Sequence, residues 1–137
     1  ISTSDDQFSS PKELDFELEQ LGSGKAFRLD NIYFTSNSFE LNPISMEILT
    51  AFVDYLILNK NLKVGIHGHT DNVGGNSENL LLSTNRAKSV YSFLLDNKIK
   101  KDRLNFKGFG EQKPLASNET KKGRAHNRRT EFVILGQ

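Results

Sequence analysis

The sequence contains no cysteine. That excludes disulfides, thiolate metal sites and a cysteine nucleophile, and it leaves the compartment open. It also lacks any apolar run approaching the roughly 18 residues that a membrane-spanning helix needs. The longest candidate, residues 48–58, is interrupted by Thr50 and Asp54 and is expected to form a buried helix. Neither sign of charge dominates: 18 Lys and Arg stand against 17 Asp and Glu, for a formal net charge of +1. Bulk electrostatics therefore propose neither nucleic acid nor a membrane surface as partner. No signal peptide is visible, and the chain opens Ile1-Ser2-Thr3 without an initiator methionine, as expected of a fragment of a longer chain. What is present, 36% apolar and 26% charged residues over 137 positions, is the balance of one globular domain with one hydrophobic core.

Residues 1–24 are polar, weakly patterned and closed by Gly22-Ser23-Gly24, which reads as a linker or the tail of a preceding region. Alternation of Leu14, Phe16 and Leu18 suggests a short extended stretch within residues 14–21. From Lys25 to the end, residues 25–137 read as a single domain. Phe27, Leu29, Ile32, Tyr33 and Phe34 suggest a strand with an irregularity near Asp30-Asn31. Asn42-Pro43 marks a helix start, and Ile44, Ile48, Phe52 and Leu56, widened by Leu49 and Tyr55, form its apolar stripe.

Residues 62–70 read as a strand with Leu62, Val64 and Ile66 on one face. A Gly- and Asn-rich loop follows, then a second helix over residues 83–97 that buries Ala87, Val90 and Phe93 or Leu94. Residues 104–108 form a third strand, 120–128 hold a short helix, and 130–135 a final strand with Phe132 and Ile134 inward. Strand, helix, strand, helix, strand, strand favours an α/β (α+β) architecture, a mixed sheet with helices packed on it.

Asp71 opens the loop at the carboxyl end of a strand, where open α/β sheets place ligand sites. The plainer reading is a turn cap, its carboxylate accepting backbone N–H groups. With Ser83 as N-cap, Arg86 falls at the third helical position, where the helix dipole disfavours a cation by about 0.3–1 kcal/mol. Together the two residues would frame a pocket of mixed charge, with Arg86 holding a carboxylate and Asp71 an ammonium. A direct Asp71–Arg86 salt bridge that merely pins loop to helix is the competing reading, and spacing does not separate them.

His67, His69 and Asp71 alternate and invite a metal reading, but no further ligand lies nearby, so a packed or hydrogen-bonded histidine pair is preferred. Calcium is disfavoured because Val73 and Gly75 offer no side-chain oxygen. The basic stretch of residues 121–129 lacks interleaved aromatics for nucleic acid and reads as a structural turn with one Arg directed toward the sheet. Neither a nucleophile elbow nor a phosphate-binding loop is found, so no enzyme is expected.

These residues carry a resemblance. Gly68-His69-Thr70-Asp71-Asn72-Val73-Gly74 looks like the GHTDxxG motif of the OmpA-like C-terminal domain family. Asn79-Leu80-Leu81-Leu82-Ser83-Thr84-Asn85-Arg86-Ala87 is similar to its N-x-x-L-S-x-x-R-A motif. Gly108-Phe109-Gly110-Glu111, Pro114, Asn118, Thr120, Gly123-Arg124 and Asn127-Arg128-Arg129-Thr130-Glu131 resemble its closing segments. The coverage is residues 32–135.

The resemblance implies a βαβαββ two-layer sandwich and a periplasmic domain of an outer-membrane or outer-membrane-associated protein. Such a domain binds peptidoglycan non-covalently through the diaminopimelate of the stem peptide. By motif position, Asp71 takes the ammonium and Arg86 the carboxylate of the distal centre, with Asn79, Thr70, Leu82 and Arg128 lining or supporting the site. Thr35 stands where many relatives carry an acidic residue, which removes one ammonium partner. The resemblance implies no cofactor and no metal, outer-membrane association through a region preceding residue 1, and leaves a homo-oligomer open. Two rivals remain: a degenerate pocket serving protein assembly, and, more distantly, a metal-dependent cell-wall hydrolase using His67, His69 and Asp71.

Overall fold

A helix N-terminus leaves backbone donors unpaired. Asn42 answers this one, its side chain accepting the Ser45 N–H at 2.8 Å, while Pro43 occupies the first turn. The computed structural model describes residues 26–28, 34 and 38–136. Within them the order is β1 (Ala26–Arg28), α1 (Pro43–Leu58), β2 (Lys63–His69), α2 (Asn76–Asp96), a 3-10 turn (Lys101–Arg103), β3 (Leu104–Gly110), α3 (Lys121–Asn127) and β4 (Arg129–Gly136). The expected extended stretch in residues 14–21, the linker 1–24 and Thr35 lie outside the described residues.

The sheet runs β1-β4-β2-β3. β2 and β3 are parallel across the α2 crossover, and β4 is antiparallel to both β1 and β2, so the mixed sheet expected from element order is the one formed. Val64 and Ile66 of β2 and Phe132 and Ile134 of β4 are fully buried, as are Leu49, Phe52 and Leu56 of α1 and Ala87, Val90 and Leu94 of α2. Phe52 and Phe132 tie helix to sheet, with ring centroids 4.8 Å apart.

Three local expectations are corrected. Ile44 is 60% exposed; the buried face of α1 instead starts at Ser45 and runs through Leu49, Phe52 and Leu56, with Val53 and Tyr55 beside it. The second helix begins at Asn76, well before Ser83, because Glu78 accepts the Gly75 N–H at 3.3 Å and so caps the chain earlier. Ser83 is no cap. Its hydroxyl donates to Leu80 O at 3.0 Å and accepts the Gly110 N–H at 2.9 Å. Of the long first strand, only Ala26–Arg28 is a described strand, and Phe34 makes an isolated antiparallel bridge to Leu41.

Two glycines set how closely α2 lies on the sheet. A Cβ on Gly68 would stand 2.4 Å from Ser83 O, and one on Gly108 would stand 2.3 Å from Thr84 N. Only residues without a side chain let the helix backbone rest on β2 and β3 at that distance. The end of α1 is held differently. Arg103 donates to Leu56 O (2.8 Å), Asn59 O (2.7 Å) and Leu62 O (3.0 Å), and so satisfies carbonyls that the helix end leaves open.

Candidate functional site

β2 ends at His69, and the chain turns out of the sheet under tight hydrogen-bonding control. The Thr70 N–H donates to Gly110 O at 2.9 Å and its hydroxyl to Asp71 O at 2.7 Å. Asp71 Oδ1 accepts the Val73 N–H at 2.9 Å, the self-capping turn that an Asp at this position can make. Gly74 follows at φ +96°, a conformation open to glycine and strained for other residues. Buried Asn79 reaches back from the first turn of α2, its amide donating to Val73 O at 3.1 Å and to Asp71 O at 3.4 Å. The turn cap expected of Asp71 thus forms, and it uses one of the two carboxylate oxygens.

The other oxygen is taken by Arg128. Its Nη1 donates to Asp71 Oδ2 at 2.7 Å, between an Arg side chain 51% exposed and an Asp side chain 10% exposed. The direct Asp71–Arg86 bridge is therefore not what forms. Arg86 lies mid-helix, roughly three turns from the start of α2, so the argument from an awkward cation in the first turn does not hold. Its Nε donates to Ser38 O at 2.8 Å, and its guanidinium lies 4.9 Å from the centroid of the Phe34 ring. Burial, and then the charge of Arg128, push the Arg86 guanidinium below its ordinary range. Among the described residues no carboxylate pairs with Arg86.

The structure thus brings Thr70, Asp71, Asn79 and Arg128 together by direct bonds, while Arg86 is seated on Ser38 and Phe34 and feels the charge of Arg128. Leu82 is half-buried on α2 and bonded to none of them. Sequence reasoning missed the seat of Arg86. Phe34 was legible as an apolar residue of the first strand, but the Ser38 carbonyl was not, because every residue carries one.

Behind Asp71 the histidines are packed. His69 is buried flat against Phe109 (5.1 Å, 7°), and His67 meets the same ring edge-on at 5.0 Å. Among the described residues neither ring nitrogen of His69 finds a hydrogen-bond partner; Nε2 lies 3.6 Å from Glu131 Oε1, beyond bonding distance. Arg129 is the arginine of the basic stretch directed toward the sheet. Its side chain is 4% exposed, and its Nε donates to Glu131 Oε2 at 2.7 Å. Interaction with His69, and then with Arg129, holds the Glu131 carboxyl down at about 2 against the opposing effect of burial. Burial, with the neighbouring His69 charge adding to it, lowers His67. Among the described residues no three His, Asp or Glu side chains converge as a metal site.

The model of the OmpA family matches residues 33–128. The peptidoglycan-binding protein ArfA of Mycobacterium tuberculosis is 39% identical over 103 residues, covering 75% of this chain and 32% of that one. The outer-membrane lipoprotein YfiB of Pseudomonas aeruginosa is 33% identical over 130 residues, covering 94% and 76%. A solved MotB-like protein from Desulfovibrio vulgaris superposes with a TM-score of 0.75 at 30% identity, over 82% of this chain and 73% of the other. The chain thus spans about a third of ArfA's length and three quarters of YfiB's. Because the family model covers most of the chain and YfiB matches at 33% identity over 94% of it, the chain belongs to the OmpA family.

Proposed function

We propose that this chain is a non-catalytic peptidoglycan-binding module of the bacterial envelope, and that it holds the diaminopimelate residue of the stem peptide. ArfA, a relative named for peptidoglycan binding, supports the polymer. The observation that carries the site is a buried carboxylate, Asp71, at a strand end, bonded to Arg128, whose charge also acts on a half-buried guanidinium, Arg86, that no carboxylate neutralises among the described residues. An amino-acid centre carries the two complementary charges. Thr70 and Asn79 fix the loop, Leu82 lines the site, Arg128 is its third charged member, and Thr35 is assigned to it by its motif position alone. The binding domain is residues 25–137, residues 1–24 link it to a preceding region, and that region associates the protein with the outer membrane. The setting is periplasmic.

The test is co-sedimentation with purified sacculi. Asp71→Ala and Arg86→Ala proteins of unchanged melting temperature should each lose at least tenfold in affinity, since truncating one partner of a desolvated charge contact costs about 2–5 kcal/mol. Undiminished binding by both variants would remove the assignment. The rival, an assembly module with a self-satisfied pocket, draws on the occupied state of Asp71. Titration with a diaminopimelate-containing peptide separates the two, because the rival predicts no heat of binding.

A further inference from the structure

Asp71 and Arg86 are immobile for different reasons. Asp71 is buried, with one oxygen on the Val73 N–H. Arg86 is fixed at Nε by Ser38 O and lies over Phe34. Arg128 is the free member of the three. Its backbone ends α3, with its N–H on Arg124 O at 3.1 Å, but its side chain is half in water and, among the described residues, bonded only to Asp71. A side chain so exposed exchanges partners at little cost.

We propose that Arg128 is a specificity-determining residue of this site. By occupying Asp71 in the free protein, it makes the site reject side chains that carry an ammonium alone and accept those that carry an ammonium and a carboxylate on one carbon. The inference rests on the peptidoglycan reading and names the residue that would choose between stem-peptide chemistries.

The charges decide it. A lone ammonium must displace Arg128 from Asp71 and then leaves two guanidiniums and itself facing one carboxylate. The ligand brings nothing to offset the cation that it releases, so the exchange is opposed. A centre with its own carboxylate brings the missing charge: the ammonium takes Asp71, and the carboxylate settles between Arg86 and the freed Arg128. The repulsion that already weighs on Arg86 from Arg128 is relieved in the same step. Displacement is then an exchange of ion pairs that adds no net charge to the site.

The experiment is calorimetric titration of the full 137-residue chain with two synthetic stem tripeptides, identical except that one ends in meso-diaminopimelate and the other in lysine. Wild-type protein should prefer the first. Arg128→Gln should bind the lysine peptide roughly two- to fivefold more tightly, the worth of an ion pair with one exposed partner, while the diaminopimelate peptide gains less or loses. Discrimination shrinks accordingly. Arg128→Lys keeps the charge and should keep most of the wild-type ratio, which controls for a merely structural role. An unchanged ratio in Arg128→Gln, or a parallel loss for both peptides, overturns the inference and leaves the peptidoglycan reading standing if the wild type binds the first peptide. A wild type that binds neither peptide removes both.

Discussion

Glu131 and Arg129 face the same side of β4, and their 2.7 Å contact sits under His69. Because the Glu131 carboxyl is held near 2, below its ordinary 4.5, ionised Glu131 contributes stability that is complete above about pH 4.5 and lost as pH falls toward 2. Glu131→Gln should therefore flatten the acid limb of the stability–pH curve between those values, as read by urea unfolding at a series of pH values. An acid limb as steep as the wild type's would contradict this. Residue roles were unevenly legible in the sequence. Asp71, Asn79 and Arg128 stand where motif spacing places them, but the Arg129–Glu131 pair could be read only from their i, i+2 alternation on a strand. Arg86 is no first-turn cation because Ser83 is no cap; a serine hydroxyl caps a helix or bonds within one equally well, and here the partner that decides is Gly110, distant in sequence.

At the scale of elements, α2 and the β2–β3 pair form one unit because Gly68 and Gly108 leave the helix nowhere else to rest. Gly108→Ala drives a methyl into the Thr84 backbone, where a Cβ would stand 2.3 Å from N. It should cost about 3 kcal/mol, the upper end of ordinary overpacking, since backbone must move rather than a side chain. Gly136→Ala, where a Cβ meets nothing within 4 Å, serves as the control and should stay within about 0.5 kcal/mol of wild type in the same denaturant series. Arg103→Ala removes three donors from the end of α1 and its following turn. It should lower stability by about 1.5–3 kcal/mol, the range for hydrogen bonds from a charged group. Hydrogen exchange should place that loss at the last turn of α1. Neither glycine contact was legible beforehand: a glycine in a strand signals close approach, but not of what.

For the molecule as a whole, the sheet class and helix order were readable because periodicity switches cleanly between two and near four along the chain, and the β4 and α2 apolar positions proved to be core. The placement of β4 between β1 and β2 was not, since pattern does not encode which edges meet. With a net charge of only +1, little of the affinity for sacculi should come from a long-range field. Binding should persist in 1 M NaCl, where screening acts beyond about 3 Å, and collapse there would point to diffuse electrostatic adsorption instead. The helix-to-sheet contact at Gly68 and Gly108 carries one more consequence. Asp71 hangs from the end of β2 and Arg86 from the middle of α2, so the gap between the charged poles is set by backbone resting on backbone. For the proposed site this makes a rigid gauge, cut to one separation of opposite charges: a ligand whose ammonium and carboxylate stand farther apart should be turned away by its length, whatever its charge.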